Sequence, residues 1–396
     1  MLNPRFEVSK SHAFRRLGAL LQDVTPKSNQ KPVLFSVGEP QNQPPPLLAE
    51  TLARHADQWN RYPPQGGTPE FKQAAAGWLN RRYALPAGMI EPERHILPMP
   101  GSREPLFMAA LIAVAPERRG KRPVVLIPNP AYHVYAGAAA LAGADAVFLP
   151  ATKETGFLPN LDRIPAEVLD RTALFYLCTP ANPQGVAADL AYLKQAIQLA
   201  RTHEFVLVVD ECYAEIYDRT QPVGILQAAA ALGGDLKNIA ATHSLSKRSS
   251  APGLRSGFVV AHPDLIKGFS DMIGYAGAGV PVPTLAASVA LWSDDAHVEA
   301  NRTLYRANFD AAERLFAGRL GFYRPDGGFY LWLDVGDGET AAKRLWAEAA
   351  IRTLPGGYMG PIESNGTHPG KPYIRVALVY DTPITAAALA RMAEVL

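Results

Sequence analysis

The feature that most constrains the fold of this sequence is a series of short, continuously apolar runs separated by segments of helical periodicity. The runs that we predict as strands occupy residues 124–127, 174–178, 205–209, 239–242 and 257–261. A strand without polar alternation is typically buried on both faces, and a helix between two strands supplies the crossover that a parallel pair requires. The sequence therefore predicts an α/β fold with a mostly parallel central sheet and helices on both of its faces.

The two ends of the chain have a different pattern. Residues 1–33 have the pattern of a helical arm, residues 295–319 that of a long charged helix, and residues 328–334 and 373–379 that of strands in a second sheet. We therefore expect a smaller α+β domain built from both termini. The predicted boundaries are 1–40 for the arm and part of the small domain, 41–290 for the large domain, and 291–396 for the small C-terminal domain.

Composition and charge argue against several classes of partner. The 396 residues carry 39 Lys and Arg against 37 Asp and Glu, and no long basic run, so neither a nucleic acid nor a membrane is expected as a partner. Residues 273–292 are uncharged, but their three glycines and two prolines favour a buried loop leading into a helix over a membrane span. The N-terminus lacks the apolar core of a signal peptide. The two cysteines, Cys178 and Cys212, are predicted to be buried free thiols of a cytoplasmic protein.

Polar residues of unusual chemistry follow four of the predicted strands. Tyr132 follows the first strand, Asn182 the second, Asp210 the third and Lys247 the fourth. In an open parallel sheet, ligands bind beyond the carboxyl ends of the strands, and these ends share one edge. We therefore expect the four side chains to meet in a single crevice.

These residue types suit a pyridine aldehyde as cofactor. A desolvated lysine such as Lys247 has a lowered pKa and forms an imine with an aldehyde, and a buried carboxylate such as Asp210 keeps a pyridine nitrogen protonated. Tyr132 is a flat ring for stacking. Each residue taken alone also has an ordinary reading, such as a helix cap, a turn, a packed ring or a surface charge. Their occurrence in this order on these elements favours a site.

The segment 244–247, Ser-Leu-Ser-Lys, followed by Gly-Leu-Arg-Ser-Gly at 253–257, resembles the cofactor-lysine signature of class I/II aminotransferases, which are fold-type I pyridoxal-phosphate enzymes. The resemblance extends from Gly38 to Arg375. It implies that Lys247 carries pyridoxal 5′-phosphate as a Schiff base and moves the substrate proton. It further implies a set of residues around the cofactor ring: Asp210 at the ring nitrogen, Tyr213 and Asn182 at the ring oxygen, and Tyr132 stacked on the ring. Lys247, Asp210 and Tyr213 are the predicted catalytic residues.

The same resemblance implies a phosphate site. Gly101, Ser102 and Arg103 match the loop that opens a helix beside the phosphate, and Ser244 and Arg255 complete it. The physical reason is that a phosphate is bound by backbone N–H groups at a helix N-terminus, by hydroxyls and by an arginine.

Substrate and subunit contacts are also implied. Arg375 matches the arginine that holds the substrate α-carboxylate, and Asn182 is expected to contact the substrate beside it. Gly38 matches a glycine that lets the substrate approach the backbone. Tyr62 matches a tyrosine that reaches the phosphate of the neighbouring subunit. This last match predicts a homodimer.

Within the family, residues 101–107, 128–135, 210–217 and 354–358 are similar to N-succinyldiaminopimelate aminotransferases. This likeness implies transfer between glutamate or 2-oxoglutarate and N-succinyl-LL-2,6-diaminopimelate, in lysine and diaminopimelate biosynthesis. The sequence departs from the family at Gln184, where threonine is usual, at residues 248–250, which lack aromatic side chains, and at Arg103, which is larger than usual. A distal carboxylate on the substrate needs a second cation, for which Arg103 and Arg15 are the candidates.

Several alternatives remain open from the sequence. An aminotransferase of other specificity, or a pyridoxal-phosphate lyase or decarboxylase, would use the same crevice, because the orientation of the substrate decides which bond breaks. A regulatory role is disfavoured because few residues precede the fold. The sequence has no GxGxxG after a strand and neither HExxH nor paired cysteines, so that a nicotinamide dehydrogenase or a metal site is not expected.

Overall fold

The computed structural model describes residues 3–5, 12–27, 29–277, 279–363 and 365–396. Among these residues, seven strands form a large sheet in the order β1-β7-β6-β5-β4-β2-β3, and three form a small sheet in the order β8-β10-β9. The strands of the large sheet are β1 (Ile96–Met99), β2 (Val124–Asn129), β3 (Asp145–Pro150), β4 (Thr172–Cys178), β5 (Val206–Asp210), β6 (Ile239–Ser244) and β7 (Gly257–Ala261). Those of the small sheet are β8 (Tyr330–Asp334), β9 (Leu354–Pro355) and β10 (Tyr373–Ala377).

The large sheet is parallel from β3 through β2, β4 and β5 to β6, whereas β7 is antiparallel to both of its neighbours, β6 and β1. Successive side chains of a strand face opposite sides. Leu207 and Val209 accordingly pack into one apolar cluster and Val208 into another. The prediction of a mostly parallel sheet buried on both faces is confirmed.

Helices cover both faces of the large sheet. In chain order the helices are α1 (Ala13–Leu21), α2 (Pro46–Arg54), α3 (Pro69–Tyr83), α4 (Pro92–His95), α5 (Arg103–Ala113), α6 (His133–Ala142), α7 (Ala166–Arg171), α8 (Leu190–His203), α9 (Ile225–Ala231), α10 (Leu245–Arg248), α11 (Pro263–Ala276), α12 (Val282–Ser293), α13 (Ala296–Phe316), α14 (Gly338–Ala349) and α15 (Thr382–Val395). Helices α3, α8, α9 and α12 pack on one face, and α5, α6 and α11 pack on the other.

The structure corrects the predicted N-terminal arm and adds edge strands. Of residues 1–33, the described part is α-helical only at Ala13–Leu21, and residues 1, 2, 6–11 and 28 lie outside the described residues. Strand β3 was not predicted because it is a half-exposed edge, and β1 was not predicted because it spans only four residues. Helix α6 begins at His133 and ends before Gly143, whose φ of 88° closes it.

The small sheet packs against α13, α14 and α15. Ile374 and Val376 of β10 lie in that core, as do Leu331 and Leu333 of β8. Because strand side chains alternate, Arg375 of β10 lies on the opposite face, which is turned toward the large sheet's carboxyl edge. In the parts of the chain that the structure describes, no helix is both long and apolar enough to cross a bilayer.

Gly257 allows β7 to lie close to its neighbours. A Cβ at this position would overlap the carbonyl oxygen of His243 on β6 and approach the Gly101 Cα to 3.1 Å. Both neighbours are backbone, which cannot move aside as a flexible side chain can.

We expect Gly257→Ala to lower the free energy of unfolding by about 1–3 kcal/mol, the usual cost of overpacking a core. The measurement is the denaturant midpoint. Gly137→Ala in α6 is the control, because its Cβ would meet no atom within 4 Å. It should raise stability by about 0.5–1 kcal/mol, the difference between glycine and alanine inside a helix. Equal midpoints for the two variants would contradict this account.

Candidate active site

A cavity of about 490 Å³ opens at the carboxyl edge of the large sheet. Asn182, Asp210 and Lys247 line it, as does Tyr132, so the four strand ends meet as predicted. Arg375 from the small sheet forms part of the same wall. The crevice therefore lies between the carboxyl edge of the large sheet and one face of the small sheet.

Lys247 lies on the short helix α10, which directly follows β6. Its Nζ donates a hydrogen bond to the Gly38 carbonyl and lies 5.4 Å from the centre of the Phe329 ring. Burial disfavours the charged ammonium and lowers the pKa of Lys247 to about 8. A substantial fraction of this amine is therefore uncharged, and so nucleophilic, in mildly alkaline solution.

Asp210 is a buried carboxylate, with 3% of its surface exposed. Tyr135 donates a hydrogen bond to its Oδ2 at 3.0 Å, and the Cys212 backbone N–H donates to its Oδ1 at 3.2 Å. None of the described lysine, arginine or histidine side chains forms an ion pair with it. Burial raises its pKa, although these hydrogen bonds act in the opposite direction. This carboxylate is therefore suited to pair with a cationic group of a ligand bound in the cavity.

Arg375 presents the complementary case, because it is a buried cation with 4% of its surface exposed. Its Nη1 donates to Asn182 Oδ1 at 2.9 Å and its Nη2 to the Ser36 carbonyl at 2.8 Å, while its buried Nε has no hydrogen-bond partner in the described part of the chain. No carboxylate of the described residues pairs with it. Since a buried charge is costly unless it is paired, the guanidinium is suited to receive an anionic ligand.

Tyr330 was not identified from the sequence. The Arg375 guanidinium carbon lies 4.4 Å from the centre of its ring, and its hydroxyl is 2.9 Å from that of Tyr213. A Cβ on Gly38 would overlap this same hydroxyl, so the glycine is required for the close approach. The only available signal was the position of Tyr330 within the strand predicted at 328–334, and that pattern does not show its partners.

The predicted phosphate loop lies at the N-terminus of α5. Ser102, Ser244 and Arg255 line the cavity, whereas Gly101 lies beside Arg255 and is not part of the wall. Arg255 donates to Glu104 at 3.2 Å and to the Pro100 carbonyl, and Ser244 Oγ donates to Ser246 Oγ at 2.9 Å. Hydroxyls, a guanidinium and a helix N-terminus are together the donors that a phosphate takes.

The remaining predicted residues fall in different places. Arg103 lines the cavity and its Nε donates to the Tyr132 hydroxyl at 2.8 Å, whereas Arg15 is exposed on α1 and is not part of the wall. Tyr62 is 96% exposed and lies away from the cavity of its own chain. Cys178 is buried as predicted, but the prediction was wrong for Cys212, which is half-buried and lines the cavity. The reason is that Cys212 follows the strand end and so faces the crevice.

Comparisons with known proteins agree with this architecture. The family described as aminotransferase class I and II matches residues 30–387. The 4-dedimethylamino-4-oxo-anhydrotetracycline transaminase OxyQ of Streptomyces rimosus is 33% identical over 364 residues, covering 91% of this chain and 92% of that protein. The LL-diaminopimelate aminotransferase of Syntrophobacter fumaroxidans is 29% identical over 401 residues, covering 98% of this chain and 97% of that protein.

A solved structure is also similar over the whole chain. The crystal structure of an aminotransferase from Neisseria meningitidis superimposes with a TM-score of 0.94 and 36% identity, covering 99% of both chains. The family match, the relatives and the fold agree with one another. This chain therefore belongs to the class I and II aminotransferase family.

Proposed function

We propose that this aminotransferase binds pyridoxal phosphate beside Lys247 and transfers an amino group between glutamate and N-succinyl-LL-2,6-diaminopimelate or its oxo acid. The observation that carries the proposal is the buried Arg375, which pairs with no carboxylate of the described residues and shares a cavity with the desolvated amine of Lys247. An amino acid or an oxo acid supplies the carboxylate that this guanidinium lacks. Family membership already makes the chain an aminotransferase that acts on amino and oxo acids.

The residues of the cavity fit pyridoxal phosphate. Asp210 has no cationic partner among the described residues and suits a protonated pyridine nitrogen, while Ser102, Ser244 and Arg255 suit the phosphate. Lys247 suits the aldehyde because its amine is largely desolvated. When bound, this cofactor supplies the electron sink that allows the α-hydrogen of an amino acid to leave as a proton.

The chain's own residues then have distinct tasks. Arg375 orients the substrate by its α-carboxylate, and the Tyr330 ring against it restricts where the guanidinium can move. Lys247 would take the proton from the substrate α-carbon and deliver it to the aldehyde carbon of the bound cofactor, a role for which a pKa of about 8 is suitable near neutral pH. Tyr213 is held by the Tyr330 hydroxyl at the cavity wall and is proposed to contact the ring oxygen of the cofactor together with Asn182.

We propose that Arg103 binds the distal carboxylate of the succinylated substrate. This residue uses Nε for Tyr132, and its two terminal nitrogens donate to no other described residue. It lines the same cavity as Arg375, so two guanidinium groups are available for a substrate that carries carboxylates at both ends. The likeness to an LL-diaminopimelate aminotransferase supports a substrate of this kind.

We also propose a homodimer in which Tyr62 reaches the partner's phosphate site. Tyr62 and Tyr275 are 96% and 95% exposed, and the segment that follows Tyr62 packs against the end of α11, where Gln65 Nε2 donates to the Ser270 carbonyl at 2.5 Å. Two almost fully exposed tyrosines beside a loop that is fixed by this hydrogen bond are typical of a surface that another subunit covers.

The function is tested by screening amino donors and oxo-acid acceptors, with succinylated diaminopimelate and glutamate among them. We expect transfer by the native protein and a loss of at least about a thousandfold in Lys247→Ala, because the proton-moving group is removed. Formation of 2-oxoglutarate from glutamate is the measurement. Release of ammonia, sulfide or carbon dioxide without an acceptor would instead indicate a lyase or decarboxylase.

Arg103→Gln should weaken the binding of only those substrates that carry a distal carboxylate. Loss of a charge-assisted hydrogen bond costs about 1.5–3 kcal/mol, so KM for glutamate and for the succinylated substrate should rise about ten- to a hundredfold. KM for alanine should stay unchanged. Tyr132→Phe is the matched control, because it removes the hydrogen-bond partner of Arg103 and keeps the charge. Equal losses for glutamate and alanine would contradict the role of Arg103.

Tyr62→Ala should weaken the binding of pyridoxal phosphate while the protein remains a dimer in sedimentation. Loss of one hydrogen bond to a charged phosphate corresponds to about a tenfold rise in Kd. Tyr275→Ala is the control for loss of an exposed ring. A native protein that sediments as a monomer with full activity would remove the subunit proposal.

A further inference from the structure

The inward face of helix α13 forms an outer support of the active site. Asn301, Tyr305 and Asn308 are spaced at i, i+4 and i+7, which places them on one face of the helix. Tyr305 and Asn308 are fully buried, and the Tyr305 ring stacks on Phe329, whose neighbour along the chain is Tyr330. The helix therefore contacts the layer of residues directly behind the cavity wall.

Asn301 holds the turn that carries Lys247. Its Nδ2 donates to the carbonyls of Lys247 at 3.0 Å and Arg248 at 3.2 Å, and its Oδ1 accepts from the Ser250 hydroxyl at 3.1 Å. Helix α10 has only four residues, and the carbonyls at the end of such a helix have no partner within it. Asn301 supplies those partners from a different part of the chain and so fixes the lysine's backbone.

Asn308 holds the chain that follows Arg375. Its Nδ2 donates to the carbonyls of Leu378 at 3.2 Å and Tyr380 at 2.9 Å. Leu378 comes directly after β10, the strand on which Arg375 lies, and its own backbone N–H donates to the Phe329 carbonyl at 2.8 Å. Asn308 thus fixes the end of the strand from which the guanidinium projects.

The side chains of Lys247 and Arg375 are also linked inside the cavity. Lys247 Nζ donates to the Gly38 carbonyl, and Arg375 Nη2 donates to the Ser36 carbonyl at 2.8 Å. The amine and the guanidinium are therefore connected through residues 36–38 on the inner side and through α13 on the outer side. A shift of α13 along its axis would move both of them.

We propose that α13 is a spacer that sets the separation of Lys247 and Arg375, with Asn301 and Asn308 as positioning residues. Seven residues of α-helix separate the two asparagines by about 10 Å along the axis. This inference rests on the proposed roles of Lys247 in proton transfer and of Arg375 in carboxylate binding. Reaction geometry is sensitive to such placement, because a misplacement of about 1 Å costs on the order of a hundredfold in rate.

The test compares Asn301→Ala with Asn308→Ala in the full-length enzyme loaded with pyridoxal phosphate. Asn301→Ala should lower kcat with glutamate about tenfold or more, since the proton-moving amine is displaced, and leave inhibition by glutarate nearly unchanged. Asn308→Ala should raise the inhibition constant of glutarate about tenfold, since carboxylate binding is disturbed, with a smaller effect on kcat. Glutarate is the probe because it carries carboxylates but no amine.

Thr303→Ala is the matched control, because Thr303 lies on the exposed side of the same helix and bonds only the Glu299 carbonyl within it. It should change neither quantity. Unfolding midpoints are measured for every variant, and Asn301→Ser or Asn308→Ser, each of which keeps one donor, replaces an alanine variant that does not fold.

Two results would contradict the proposal that α13 acts as a spacer. One is an equal change of kcat and of the glutarate constant in both asparagine variants, which indicates general loosening of the fold. The other is an unchanged kcat in Asn301→Ala together with unchanged glutarate binding in Asn308→Ala. An inactive native protein would contradict the proposed function instead, so the two failures are distinguishable.

Discussion

Two opposite charges, buried in one cavity and without ionic partners among the described residues, are the constraint on which the rest of the site depends. Asp210 and Arg375 reach the cavity from different sheets, and each is held by neutral hydrogen-bond partners. Burial of such charges is costly, and the cost is offset when ligands of the opposite charge bind. The fold supplies the stability that keeps both groups in place, and their electrostatic demands determine which ligands fit between them.

Much of the large sheet was predictable because its strands are continuous apolar runs, and their shared carboxyl edge then placed Asp210, Asn182 and Lys247 together. The half-exposed strand β3 and the extent of the N-terminal arm were not predictable, since neither has a distinctive apolar pattern. Tyr330 was missed because its partner Tyr213 lies 117 residues away, and no local pattern records such a contact.

Chemistry and specificity have different origins in this cavity. Groups at the strand ends and on β10 suit reactions common to the family, whereas Arg103, which we propose to bind the distal carboxylate of a substrate, lines the same cavity together with residues of α1. The similar proteins are named for unlike molecules, 4-dedimethylamino-4-oxo-anhydrotetracycline and LL-diaminopimelate. A change at a few positions of the cavity wall is therefore a physical route by which one fold can serve different amino acids.

The overlap between a side chain at position 38 and the Tyr330 hydroxyl has an evolutionary consequence. Gly38 lies near the N-terminus and Tyr330 lies on β8, so the two positions are distant along the gene but adjacent in space. A methyl group at 38 would overlap the Tyr330 hydroxyl and lie 2.9 Å from the ring carbon that bears it, so the ring would have to move or be replaced by a smaller side chain. The residues that either position can accept therefore depend on the residue at the other position.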